Sequence, residues 1–183
     1  MKTLLISGSR NPQGQTAQAM DAVRKGLSNK GASTETVFLP PLKIERCRQC
    51  DEGGWGLCRK EGQCVIADDL SGLVEKIRQA DAVVVATPVY YSDLSESLRA
   101  FLDRLRRLCT HETGRQSIKG KPLMGVCVAG GGGGGAPACC LSLEKIMSTC
   151  GFEVVDLIPV RRQNLQSKLP ILELAGQGLA ENR

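Results

Sequence analysis

Histidine is almost missing from this chain. His111 is the only one in 183 residues, which excludes a site built on clustered imidazole ligands. Aromatic residues are nearly as scarce, at 3%. Phe38, Trp55, Tyr90, Tyr91, Phe101 and Phe152 are the whole set, so a site that needs a ring has few to choose from. Long hydrophobic runs are absent, and none approaches the roughly 20 apolar residues of a membrane-spanning helix. The opening run Leu4-Leu5-Ile6 stops at Ser7-Gly8-Ser9-Arg10, too short for the apolar part of a secretory signal. The expectation is a cytoplasmic protein with no membrane partner. A strong excess of one charge is lacking too: 24 Lys plus Arg against 19 Asp plus Glu leaves a net +5. That balance is too mild for a dedicated nucleic-acid binder, so no nucleic-acid partner is expected. It suits a phosphate-bearing ligand, or simply a solvated surface.

What is present describes an ordinary folded chain. Hydrophobic residues make up 42% and charged residues 23%, and the length is that of one domain, taken as residues 1–183. Nine cysteines in a reducing compartment point to free thiols, a metal centre or redox chemistry before disulfides.

Strand and helix signals alternate. Thr3–Ile6 is a short apolar run ended by polar residues and glycine. From Thr16 the period becomes helical, with Thr16, Met20, Val23 and Leu27 on one face and Gly31 as a stop. Thr34–Leu39 is rich in β-formers and ends at Pro40-Pro41. Asp68-Asp69 is placed to cap a helix whose apolar face is Leu70, Leu73, Val74 and Ile77. Ala82–Ala86 and Leu123–Ala129 are continuous apolar runs, as in strands buried on both faces. Between them Leu94, Leu98, Phe101, Leu102 and Leu105 line one side of a helix. Leu143, Ile146, Met147 and Cys150 mark another helix, and Val154–Val160 a fifth strand. The polar tail from Arg161 is expected to end in a short helix. The pattern predicts an α/β fold: a parallel sheet of five strands with helices on both faces.

In such a sheet ligands bind outside the carboxyl ends of the strands, so the loops after strands come first. Gly8-Ser9-Arg10-Asn11-Pro12-Gln13-Gly14-Gln15-Thr16 is neither a dinucleotide fingerprint nor a Walker loop. It does lead hydroxyls and amides into a helix N-terminus, a seat for one phosphate, with Ser9, Gln15 and Thr16 as donors and Arg10 as added charge. An ordinary capped turn is the plainer alternative. Thr87-Pro88-Val89-Tyr90-Tyr91-Ser92 puts two scarce rings at one apex, the likeliest to meet a planar ligand, with Trp55 the third candidate. Gly130 to Gly135 is six glycines in a row, costly to order but able to lie flush against a flat ring. A floppy connection is the alternative there. Together these loops describe a mononucleotide site.

On these motifs, with Leu98-Arg99-Ala100-Phe101-Leu102-Asp103-Arg104 beside them, residues 2–160 resemble the flavodoxin-like NADPH-dependent FMN reductase family and its iron–sulfur flavoprotein branch. The resemblance implies strand order 2-1-3-4-5, bound FMN, NAD(P)H as co-substrate, and a small acceptor such as a flavin or quinone. It also implies a homodimer or homotetramer. The implied FMN contacts are Ser9, Arg10, Gln13, Gly14, Gln15 and Thr16 for the phosphate loop, and Pro88, Val89, Tyr90, Tyr91, Ser92, Gly130, Gly131, Gly132 and Gly133 around the ring. No side chain is expected to act as acid or base. This chain departs from the family pattern in two places. Arg10 comes one position early with Asn11 in the arginine's place, and Gln15 stands where an asparagine is usual.

The segment at about 40–66 breaks the rhythm and reads as a long cysteine-rich loop. Cys47, Cys50, Cys58 and Cys64 give the spacing C-x2-C-x7-C-x5-C. Four thiolates suit a [4Fe–4S] cluster or zinc. The wide Cys50–Cys58 gap, where the resemblance implies closer spacing in cluster-bearing members, tilts the reading toward metal-free thiols. Cys109, Cys127, Cys139, Cys140 and Cys150 read as small apolar fillers. The basic run Arg104, Arg106, Arg107, Lys119 and Lys121 reads first as a favourable helix end, and second as a seat for the 2′-phosphate of NADPH. Two rival classes stay open: an FMN electron carrier without its own NAD(P)H oxidation, and a redox-sensing module using the loop thiols.

Overall fold

Apolar runs with no polar alternation have two faces to hide, and they take the centre of the sheet. The structure, a computed structural model, describes residues 1–181. Strands β1 (Lys2–Ser7), β3 (Ala82–Pro88) and β4 (Pro122–Ala129) are buried almost throughout. The more polar β2 (Ser33–Phe38) and β5 (Glu153–Arg161) form the edges. All pairings are parallel and the order is β2-β1-β3-β4-β5, as the resemblance implied.

Alternation along the strands then divides the core. Leu4, Ile6, Val83 and Val85 face one layer, formed by α3 (Leu70–Gln79), α4 (Glu96–Leu108) and α6 (Ala136–Cys150). Leu5, Val84 and Ala86 face the other, formed by α1 (Gln15–Asn29) and α7 (Leu165–Glu181). Two single-turn helices, α2 (Leu57–Lys60) and α5 (Glu112–Arg115), lie between these elements in sequence.

The tail differs from expectation. It is no short helix but α7, seventeen residues packed along α1. Pro170 inside it, with Gly176 and Gly178, hides its helical period in the sequence. Those glycines have a packing reason. A Cβ on Gly176 would run into the Val23 carbonyl, and one on Gly26 into that of Glu173, so the two backbones touch. Of the two acids expected to cap α3, Asp68 does so, its carboxylate accepting the Leu70 N–H at 3.2 Å, while the Asp69 carboxylate accepts the Lys43 N–H at 2.7 Å.

Candidate functional site

With β1 between β2 and β3, the direction of winding reverses between β1 and β3, and the carboxyl ends of these strands are where a sheet of this kind takes its ligands. The loop after β1 is wound on its own polar groups. The Ser9 N–H donates to Ser7 Oγ at 3.2 Å, the Asn11 N–H to Ser9 Oγ at 3.2 Å, and the Gln13 N–H to Asn11 Oδ1 at 2.9 Å. The loop feeds α1, whose N-cap is Gly14 and whose first turn carries no side-chain cap and no acidic residue. The first N–H groups of α1 are thereby left for an anion. Ser9 and Thr16 are buried beside it, Gly14 and Gln15 half-buried, and Gln13 exposed. Arg10 does not point its charge there; it pairs with Glu96 at the start of α4.

The loop after β3 closes on itself. The Tyr90 N–H donates to the Asp93 carbonyl and the Asp93 N–H to that of Tyr90, both at 2.9 Å. The two residues between them, Tyr91 and Ser92, both have left-handed backbone, φ +50° and +64°. Positive φ at both central positions is that of a type I′ turn, normally made with glycine or asparagine. Tyr91 stands fully exposed at 103% and Tyr90 at 45%, so neither ring packs under the loop. Pro88 is the last residue of β3, and the N–H of half-buried Val89 donates to the Val128 carbonyl at 2.9 Å, tying this loop to β4.

The glycine loop is only partly dictated by the fold. Gly131, Gly133 and Gly135 have positive φ, and Gly133 is packed against Gln163. Gly132 and Gly134 have ordinary φ, and a Cβ on either would meet nothing within 4 Å. Those two positions have no steric need of glycine within the protein.

The three loops meet in pairs. Gly8 packs against Ser95 and Thr87 across β1 and β3, with its N–H on the Ala86 carbonyl at 2.9 Å. A Cβ on Gly135 would come within 2.6 Å of Ser92 Cα, and one on Gly130 within 4.0 Å of Gln15 Oε1. The residues singled out from the sequence thus lie on three loops that approach one another at the carboxyl end of the sheet, with the Arg10 guanidinium paired to Glu96.

A second polar centre lies on the α4 side. Cys47, Cys50, Cys58 and Cys64 line one narrow cleft with a volume of only about 20 Å³, with Arg48, Arg104 and Arg107 in its wall. Arg104 is 1% exposed and pairs with Asp68, 5% exposed, its Nη1 at 2.5 Å and its Nη2 at 3.1 Å from the two carboxylate oxygens. It also donates to the Glu45 carbonyl at 3.1 Å and to Cys64 Sγ at 3.2 Å. Burial pushes the Asp68 carboxyl up, but hydrogen bonds from Arg104 and from the Glu45 and Leu70 N–H groups outweigh it and hold the carboxyl below its usual range. Arg107 donates to the Gly54 carbonyl at 2.6 Å, and its Cζ lies 4.7 Å from the Trp55 ring centroid, with Arg59 Cζ at 5.3 Å. Trp55 is thus held within this segment, between Arg59 and Arg107.

These positions correct the phosphate reading of the basic run: Arg104 is inside, Arg107 is spent on Trp55 and Gly54, and Lys121 Nζ lies on the carbonyls of Ile77, Arg78 and Ala80 at the end of α3. Sequence reasoning missed the Arg104–Asp68 pair, although a signal existed. Position 104 falls three after Phe101 and four before Leu108, on the buried stripe of α4. The remaining thiols, Cys109, Cys127, Cys139, Cys140 and Cys150, are buried as expected. Hydrogen bonding to Cys139 and Cys140, with burial, pushes the Cys127 thiol up, as suits an un-ionised filler. His111 accepts the Thr113 N–H through Nδ1 and caps α5, which explains the lone histidine without chemistry.

The profile of the NADPH-dependent FMN reductases matches residues 1–160. The chain belongs to that family. An iron–sulfur flavoprotein of Methanocaldococcus jannaschii is 30% identical over 125 residues, 68% of this chain and 62% of that one. Another, from Archaeoglobus fulgidus, is 35% identical over 105 residues, 57% of this chain and 46% of that one. The chain thus spans about half to three fifths of the curated relatives' length. The solved NAD(P)H:quinone oxidoreductase of Methanothermobacter marburgensis superposes with a TM-score of 0.67 at 19% identity, covering 100% of this chain and 98% of that one. That likeness places the FMN reductase family member in the flavodoxin-like fold. Among its described residues no helix is long and apolar enough to cross a membrane.

Proposed function

We propose that the chain binds FMN in the three-loop crevice and works as an NAD(P)H-dependent oxidoreductase that hands electrons to a small acceptor, a flavin or quinone. The observation that carries this reading is the uncapped start of α1 set beside a glycine loop whose Gly132 and Gly134 face open space. An anion at the first and a flat ring against the second together fit a flavin mononucleotide. Bound FMN would supply a hydride acceptor and pass the two electrons on to the second acceptor. The first N–H groups of α1 would hold the phosphate, helped by the Thr16 and Ser9 hydroxyls. Backbone N–H groups of 130–133 and 89–92 would stabilise negative charge on the ring, and Tyr90 and Tyr91 would cover it. No side chain need move a proton. The reading takes residues 1–183 as a single flavodoxin-like domain and the assembly as a homodimer or homotetramer, which size-exclusion chromatography checks.

The test is titration of apoprotein with FMN, followed by stopped-flow reduction with NADPH and NADH. Thr16→Ala is expected to weaken FMN binding by about 1–2 kcal/mol, the scale of a lost hydrogen bond to a charged group. Failure of the wild type to bind FMN overturns the reading.

A second reading is an FMN electron-transfer flavoprotein without its own NAD(P)H oxidation, with or without an iron–sulfur cluster; one feature favours it, that all four loop thiols line a single cleft, although among the described residues no three of them stand close enough to hold an ion. Bound FMN without NAD(P)H oxidation would select it, and iron in anaerobically purified protein would show the cluster.

A further inference from the structure

A type I′ turn is ordinarily made by Asn-Gly, because both central residues take positive φ. After β3 it is Tyr91 and Ser92 that take it, at +50° and +64°. A tyrosine or a serine in the left-handed region costs free energy at each position, and such backbone persists only where its surroundings over-determine it. The two backbone hydrogen bonds between Tyr90 and Asp93 close the turn, but they would equally close one made of Asn-Gly.

What this turn has besides them is the half-buried Asp93 side chain. Its Oδ1 accepts the Leu94 N–H at 2.8 Å, and its Oδ2 pairs with the Arg99 guanidinium on α4. Burial pushes the Asp93 carboxyl up, but the Leu94 N–H, Arg99 and the Ser142 hydroxyl on α6 outweigh it and hold the carboxyl below its usual range. Ser92 is held from the other side: a Cβ on Gly135, the N-cap of α6, would come within 2.6 Å of Ser92 Cα. The turn is thus fixed to α4 through Asp93 and to the end of the glycine loop through Ser92. Strain that is held in place by named groups calls for a reason outside the fold. Tyr90 and Tyr91 are both exposed, so the strained turn adds no ring to the core. It offers two rings to a ligand.

We propose that Asp93 is a positioning residue for the flavin ring: anchored on Arg99, it holds the Tyr90–Asp93 turn in the left-handed form that presents both tyrosines to FMN. The proposal rests on the reading above, that FMN binds at these loops. Asp93 acts through the turn and not by touching the flavin. Its loss should therefore be felt by the ring and not by the phosphate, which is proposed to sit on a different loop.

The experiment titrates apoprotein of the full chain with FMN, with riboflavin, which has the ring without the phosphate, and with inorganic phosphate. Asp93→Ala and Arg99→Ala are each expected to weaken FMN and riboflavin about 10-fold, the double variant no further, and all three to keep the wild-type affinity for phosphate. Arg99→Lys, which keeps the cation, is expected to bind like the wild type. Ser92→Gly supplies the decisive second site. Glycine takes positive φ without strain, so a turn that contains it needs no brace, and Ser92→Gly added to Asp93→Ala should restore flavin binding. A merely structural role for Asp93 would weaken phosphate binding as well and would not be undone at position 92. If the wild type binds no FMN, the FMN reading fails and this proposal with it. If the wild type binds FMN and Asp93→Ala binds it as tightly, the reading stands and the positioning role is overturned. Failure of Ser92→Gly to rescue Asp93→Ala overturns it as well. Should Asp93→Ala not fold, Arg99→Ala with and without Ser92→Gly decides in its place.

Discussion

At the scale of single residues the strongest commitment is Arg104 on Asp68. Both are taken out of water, so removing one strands the other. Asp68→Asn is expected to cost about 3 kcal/mol in urea unfolding, and Asp68→Leu with Arg104→Met much less than the sum of the single changes. The pH dependence has a definite sign. The folded-state carboxyl lies below its ordinary value, so its contribution is complete above the unfolded aspartate pKa of about 3.9 and is lost as pH falls through the depressed folded value. Acid unfolding of Asp68→Asn should therefore be shallower than that of the wild type below about pH 4. Equal slopes would mean that Asp68 is not ionised against Arg104. The sequence hid this pair because Asp68 and Arg104 lie 36 positions apart, and because Arg104 sits in a run of basic residues that looks like a solvated helix end.

At the scale of elements, the glycines separate into those that the fold requires and those that it does not. Gly131 and Gly135 have positive φ, where alanine costs roughly 1–2 kcal/mol. Gly132 has neither constraint. Gly132→Ala should therefore unfold like the wild type while binding FMN more weakly, whereas Gly135→Ala should lose stability even without FMN. Thermal unfolding of apoproteins beside FMN titrations tests this pair of outcomes. Normal FMN affinity in Gly132→Ala would make that stretch a mere connection. Gly26 makes the opposite case on α1: helix propensity alone favours alanine by about 1 kcal/mol, but the Glu173 carbonyl occupies the space. Gly26→Ala should destabilise by about 1–3 kcal/mol, the cost of overpacking. That contact was not legible in the sequence, because nothing in a local pattern says that a helix 150 residues later lies on this face.

At the scale of the whole molecule, the parallel sheet was legible because buried strands carry an unmistakable signal, the continuous apolar runs 82–86 and 123–129. The strand order came with the motifs of the resembling family, and the three loops after β1, β3 and β4 were found by the rule for carboxyl ends. What could not be read was which polar side chains the protein spends on itself. Arg10 went to Glu96, Arg107 to Gly54 and Trp55, and Lys121 to the end of α3. Such choices depend on distances between elements, which a sequence does not contain. The same distances give the last expectation. The proposed FMN site is made by three loops on three strands, so a ligand that spans them should act on all three together. FMN at about 100 times its dissociation constant should raise stability by about 2.7 kcal/mol. Amide exchange should then slow in residues 8–16, 89–92 and 130–135 in concert, while inorganic phosphate should protect only the first of these. Protection by FMN confined to the first loop would leave the phosphate where it is proposed and remove the ring from the other two.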